Sequence, residues 1–481
     1  MSDGRPRGRI APLELDAPET MAEWFEEPEL SFAGGRRHVD PKVGISLYGP
    51  RSLGTVRHKS ELHVGFIGTA EPLAYARAMY ERFAEGIDGD ESHVPFPGFR
   101  ADRGFRCDLR TGDAIVEHIS RKESVAIDGI KSGHERFEEM VGLLRSKMEL
   151  LTQRDYPPDY VVLALPQDLF KRCRVAKYKV KGAGTVHRDL RRAFKAMAME
   201  FRVPTQILLP TTTGLARTNR KLDHESMIAW NLLTGAYFKA GGLPWGPVGL
   251  PAASCIVGVS FFRPLGSAST LRTSVVQAFD ENGEGLVLRG HDFHWDEAKQ
   301  GRSPHLTGEM AEKLIAMVLR RYQAERGQSP RRVVVHKTSR FEPAERDGFE
   351  QALSGVDRHD LLALRATSES RLVRAGRYPP LRGTSFTLGD ISYLYTTGYV
   401  TSFGGYPHGH VPSPMRVADH VGDTFRANLL REVLLLTKMN WNSANMSALM
   451  PITLSFSRVV GDVLREVPSD RTPQPQYRYY M

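Results

Sequence analysis

The chain has 481 residues, 41% of them apolar and 25% charged, with a formal net charge of +9. That length supplies core for two or three domains, and the composition predicts a soluble globular protein with a preference for polyanionic partners. No apolar run reaches membrane-spanning length, and the sparse cysteines, Cys107, Cys173 and Cys255, lack metal spacing and fit a reducing cytoplasm.

Residues 1–25 are broken by proline and glycine, carry no apolar stretch of the secretory kind and predict a flexible N-terminus. Residues 26–60 open with EEPELSFAGGRRHVDPKVGISLYGP and predict short lead-in strands between turns. From residue 61 the pattern alternates. ELHVGFIGT is a buried strand, EPLAYARAMYERFAEGI a helix, PFPGF a loop, HERFEEMVGLLRSKMELLTQRD a long amphipathic helix and DYVVLALP an apolar strand. Such a β/α order predicts a parallel, Rossmann-like sheet covered by helices.

The stretch Lys171 to Gln206 follows. Its first 25 residues hold ten Lys or Arg and one acid, Asp189. Leu190, Ala193, Phe194, Met197, Ala198 and Phe201 recur at helical spacing and make an apolar face. Arg188, Arg191 and Lys195 are three and four apart and share the opposite face. Gly182 and Gly184 precede that helix, where free N–H groups can face an anion. VPTQILLP then reads as a strand returning Gln206 toward the helix. The two open readings are a solvated basic face and a phosphate pocket. Neither a full dinucleotide fingerprint nor a Gly-Lys-Ser/Thr loop is present.

Arg191, Lys195 and Gln206, followed by Lys239 in YFKAGGLPW, resemble the MID-domain motif of Argonaute proteins. The resemblance implies that these four residues grip the 5′ phosphate of a guide strand. The gap from Gln206 to Lys239 is longer than the family's, through LARTNRKLDH, and Gly235 stands where some relatives have a further lysine.

Residues 226–253 form a helix and the turn cluster GGLPWGPVGLP. CIVGVSFF, TLRTSVVQAFDENG and EGLVLRGHDF are three strands, with DENGEG as a hairpin connection. LTGEMAEKLIAMVLRRYQAERG, RRVVVHKTS, PAERDGFEQALSG and DLLALRATS continue as α, β, α, β, which is the order of a ribonuclease H-like fold. The glycine- and proline-rich TTGYVTSFGGYPHGHVPSPMRV and MNWNSANMSALMPITLSFSRVVGDVLREV resemble the end of an Argonaute PIWI domain. The fold expected is therefore α/β, a MID domain over residues 61–250 followed by a PIWI domain over 251–481. It is similar to short prokaryotic Argonautes, which lack the N-terminal and PAZ domains.

An active PIWI domain needs clustered acids to hold two metal ions. Where the family has them, the resemblance places Ser260, Lys337 and Phe456, which implies an inactive nuclease. His408 and His410, and His291, Asp292, His294 and Asp296 in HDFHWDE, are metal candidates that read equally as surface or hydrogen-bonded groups. Tyr477, Arg478, Tyr479 and Tyr480 either stack on bases or pack the tail down. The resemblance further implies Mg2+ beside the guide phosphate, held with the help of Gln206 and a terminal carboxylate on Met481. Its partners would be a guide RNA, a single-stranded DNA target and an APAZ-domain effector of sirtuin-like, TIR or nuclease type, in a cytoplasmic defence system. The alternatives are an active guide-directed nuclease, a guide-free nucleic-acid-binding subunit and a nucleotide-dependent enzyme.

Overall fold

The computed structural model describes residues 20–481 except 181–183, 220, 266–269, 279–284, 405, 407–410 and 469. Gly182, most of the DENGEG connection, His408 and His410 lie outside the described residues.

The first half is built on three parallel strands, β2 (Glu61–Gly68), β3 (Tyr160–Ala164) and β6 (Thr205–Leu208), in the order β6-β3-β2. Short strands at Asp108–Arg110 and Val116–His118 extend β2, also in parallel. Strand alternation sends Tyr160, Val162 and Ala164 into one core and Val161 and Leu163 into another. The second core is closed by α3 (Gly133–Thr152) and α4 (Leu190–Ala198), whose Leu190, Ala193, Phe194, Met197 and Ala198 are all buried there. Helix α2 (Ala70–Glu85) and α5 (Glu225–Lys239) cover the other face.

The second half is a nine-stranded sheet. One end of it is β7 (Ser254–Phe262), β8 (Thr270–Ala278) and β9 (Leu286–His294) as a meander, with β9 at the edge. β10 (Arg332–Lys337) and β11 (Arg358–Ala366) lie parallel to β7. Beyond β11 come β14 (Met415–Gly422), β13 (Ile391–Leu394), β12 (Thr384–Leu388) and β1 (Thr20–Trp24). Helices α6 (Gly308–Arg326) and α7 (Pro343–Leu353) pack on one face, and α8 (Arg426–Leu436) and α9 (Ile452–Leu464) on the other. The core under α8 and α9 is continuous with the one under α2 and α5, so a single hydrophobic cluster joins the halves. The expected α/β architecture, with a Rossmann-like and then a ribonuclease H-like sheet, is the one observed.

Two N-terminal expectations change. Residues Thr20–Trp24, placed in the flexible tail by composition, add an antiparallel edge strand to β12. The Trp24 indole Nε1 donates to Arg382 O at 2.9 Å. The lead-in contains two-residue strands, Leu30–Ser31 and Arg37–His38, but PKVGISLY is a helix, α1 (Pro41–Tyr48). Its start is set by Asp40, whose carboxylate accepts from Lys42 N and Val43 N, with Pro41 in the first turn. All three cysteines are buried thiols.

Candidate phosphate-binding site

The basic stretch folds as two elements. β4 (Val175–Val180) pairs antiparallel with β5 (Gly184–Asp189), and only then does α4 begin. Gly184 is therefore a strand residue at the start of β5, not the approach to a helix. The helix N-terminus is closed by Asp189, whose carboxylate accepts from Arg191 N at 3.0 Å and Arg192 N at 3.3 Å. Free N–H groups there are not the anion site that the sequence suggested. Arg188 also leaves the helix face: it lies on β5 and pairs with Glu466 at 2.8 Å and with Glu138.

The other four motif residues converge. α4 carries Arg191 and Lys195 one turn apart. Lys195 Nζ donates to Thr205 O at 3.2 Å and to Met481 O. Gln206, beside Thr205 on β6, accepts from Lys239 Nζ at 2.6 Å. Lys239 is the last residue of α5 and is 2% exposed. α5 stops there because Gly241 takes a positive φ of 103° and its N–H donates to Phe238 O. A Cβ on Gly242 would fall 2.3 Å from the Tyr237 ring, so the paired glycines set where Lys239 ends up. Gly235 packs toward Asn442, where a Cβ would meet Oδ1 at 3.6 Å.

The electrostatics are those of a cationic pocket in which, among the described residues, no acidic side chain acts on the lysines. Burial, then the nearby Arg191 charge, pushes Lys195 down to about 7. Burial, then the charge of Lys195, pushes Lys239 well below the usual lysine range. Arg191 is lowered by burial too, although Asp189 opposes this, and its guanidinium lies 5.7 Å from the centre of the Phe170 ring. The lysines are met by neutral oxygens from Gln206 and Thr205 and by Met481 O. Concentrating cations in a low-dielectric site costs free energy that an incoming anion returns.

The tail closes this pocket. Tyr477, Tyr479, Tyr480 and Met481 are buried. Tyr477 packs against Phe456, Phe238 and Trp441, Tyr479 Oη donates to Arg202 O at 3.1 Å, and Tyr480 Oη donates to Gln474 O at 2.8 Å. Of the two readings of the tyrosines, packing is the one observed.

The three positions aligned with catalytic acids do not share one cavity. Ser260 on β7 donates its Oγ to Ser457 O of α9 at 3.0 Å. Gly258 and His336 stand side by side in the β7–β10 register, and His336 Nδ1 is 2.8 Å from Thr453 Oγ1, on the same α9 side. Lys337, one residue on, turns to the opposite face. It is 1% exposed, pairs with Glu345 of α7 at 2.5 Å and lies 3.1 Å from His305 Nδ1. Strand alternation thus points Lys337 away from the face that Ser260 and His336 share. Phe456 is buried with its ring against Tyr477. In HDFHWDE, Asp292 is held by Arg272 and Asp296 caps a short helix through Ala298 N. Both carboxylates are thus engaged within the chain. Among the described residues, the one group of three or more metal-ligating side chains within reach of each other is Asp90, His93 and His224, which sequence spacing did not reveal because His224 is distant in the chain.

No family model and no curated protein matches the sequence. Solved structures do. Clostridium butyricum Argonaute bound to a guide DNA and a 19-mer target DNA is similar with a TM-score of 0.63 at 13% identity, over 94% of this chain and 54% of that one. Drosophila Piwi gives 0.60 at 13%, over 95% and 56%, and A. aeolicus Argonaute 0.56 at 15%, over 93% and 53%. The chain spans about half the length of these proteins, and at such identity the likeness is one of fold. Its two sheets in order, with the tail tucked between them, have the MID–PIWI architecture of the Argonaute fold.

Proposed function

We propose that the chain binds the 5′ phosphate of a guide strand at Arg191, Lys195, Gln206 and Lys239 and uses the guide to recognise a complementary strand. The observation that carries this reading is the convergence of Lys195 and Lys239, from two helices, in a pocket where burial and mutual repulsion act on them and, among the described residues, no acidic side chain does. A phosphate supplies the missing charge through short, charge-assisted hydrogen bonds. Mg2+ joining the phosphate would find oxygen donors of suitable type in Gln206 Oε1 and Met481 O. In the structure each of these accepts from a lysine ammonium.

The guide is RNA and the target single-stranded DNA in this reading, and base pairing supplies sequence specificity while basic side chains hold the backbones. Target cutting is not part of it, because Ser260, Lys337 and Phe456, at the positions the resemblance aligns with the acids, offer no carboxylate to hold a metal pair. The output passes instead to an APAZ-domain effector with sirtuin-like, TIR or nuclease activity, in a cytoplasmic defence against invading DNA. The resemblance of the C-terminal Asn-Trp-Asn segment and of the motif residues to short Argonautes supports this part.

The test is to purify the chain with its co-purifying nucleic acid from its native host and sequence that nucleic acid with defined 5′ ends, for wild type and Lys195→Ala. The expected result is short 5′-phosphorylated RNA of narrow length, depleted in the variant. A heterogeneous set unchanged by the substitution would favour a guide-free binder. Metal-dependent cutting of a complementary strand by the loaded chain would restore the nuclease reading.

A further inference from the structure

The loop after α2 reverses at Asp90–His93, where Asp90 N donates to His93 O at 3.1 Å. Asp90 Oδ1 accepts from Ser92 N at 2.8 Å and lies 2.7 Å from His93 Nδ1. From far along the chain, His224 arrives as the N-cap of α5. Its ring stacks on that of His93, with centroids 4.7 Å apart and planes within 10°, and its Nε2 is 3.8 Å from Asp90 Oδ2. One ligand atom from each residue lies within 4.8 Å of the others.

Two imidazole nitrogens and a carboxylate oxygen are a zinc donor set. Tetrahedral zinc with bonds of about 2.0–2.2 Å sets neighbouring donors roughly 3.4 Å apart. One donor atom from each residue already lies within 4.8 Å of the others, and turning the stacked imidazoles out of parallel, so that both ring planes contain the metal, brings the donors to that spacing. Asp90 is exposed, which leaves room for water as a fourth ligand. The buried Ser226 hydroxyl lies 2.9 Å from His224 Nδ1. Nδ1 also accepts from Ser226 N at 3.2 Å as the helix cap, so a metal on Nε2 requires Nδ1 to take up the proton and donate to the Ser226 hydroxyl instead.

We propose that Asp90, His93 and His224 form a zinc site that ties the 87–98 loop to the first turn of α5. The loop already touches α5 through Trp230 Nε1, which donates to Pro95 O at 3.1 Å. The far end of the same helix carries Lys239. The metal is structural here and stands apart from any ion at the guide phosphate.

The experiment uses untagged full-length chain, stripped with a chelator, dialysed and titrated with Zn2+ alone. Bound metal is counted by elemental analysis and affinity read by calorimetry. His93→Ala and His224→Asn are measured in parallel, the latter keeping an N-capping side chain while removing the imidazole. The expected result is about one zinc per wild-type chain, at least tenfold weaker binding in each variant, and a zinc-dependent rise in Tm that both variants lose. Absence of saturable uptake by the wild type, or uptake undiminished in either histidine variant, would overturn the assignment. Matching circular dichroism of the metal-free proteins confirms that the variants fold.

Discussion

Burial and mutual repulsion act together on Lys195 and Lys239, and this fixes how the pocket responds to pH and to substitution. Lys195 is held at about 7 against an ordinary 10.5 by burial and the Arg191 charge. Between those values the unfolded chain binds more protons than the folded one, so stability of the guide-free protein rises with pH across that window. For one group the slope is at most about 1.4 kcal/mol per pH unit. Thermal melts from pH 7 to 10 should show the rise, and Lys195→Met should flatten it. Guide affinity should run the other way, weakening above pH 7 as the ammonium is lost, which anisotropy titrations with 5′-phosphorylated RNA can follow. Lys239→Met removes one charge-assisted contact, commonly about 1.5–3 kcal/mol, and should weaken 5′-phosphorylated RNA roughly 10- to 150-fold. It should leave 5′-hydroxyl RNA nearly unaffected, and equal losses for both RNAs would remove the phosphate from the account. These residues were legible in the sequence because the motif spans helix, strand and helix end in a fixed order. Arg188 was misplaced for a local reason: helical spacing was carried backward across a strand boundary. The face on which Lys337 stands depends on strand alternation in the folded sheet, which the motif alone does not orient.

Elements of strong period were read correctly, and weak or context-dependent ones were not. The apolar stripe of α4 and the parallel strands follow from side-chain periodicity alone. The strand pair before α4 did not, because its alternating Lys and apolar residues overlap a basic run that also suits a helix. Thr20–Trp24 becomes a strand only because β12 offers an edge, a tertiary fact that no local pattern contains. α5 is mostly buried, and Gly235 in its last two turns takes no positive φ. A Cβ there meets nothing closer than 3.6 Å. Gly235→Ala should therefore stabilise the protein by about 0.4–1 kcal/mol, by lowering the entropy of the unfolded chain without a clash. Denaturant melts would measure it, and a loss of stability would mean that the Asn442 contact is tighter than ordinary packing.

At the scale of the whole chain, the halves are joined by one continuous core and by ion pairs that cross between them. Arg192 of α4 meets Asp462 of α9 at 2.8 Å, and Arg188 of β5 meets the nearly buried Glu466. The last residues complete this junction. Tyr477 fills a space among Phe238, Trp441 and Phe456, drawn from both halves, Tyr479 ties to Arg202, and Met481 O reaches Lys195. One short segment therefore serves both cohesion and the pocket. Each fully buried apolar side chain is worth about 1.5–3 kcal/mol, so deleting residues 477–481 removes several such contributions together and leaves the Phe238 and Trp441 rings uncovered. The expected outcome is a marked fall in Tm, with calorimetry resolving separate transitions for the two sheets where the intact chain melts as one. Guide binding should fall with it, because Lys195 loses a partner that fixes its position. If the truncated chain instead melts as one unit and keeps its preference for a 5′ phosphate, the tail is a cover, and the core under α5 and α9 alone sets the pocket.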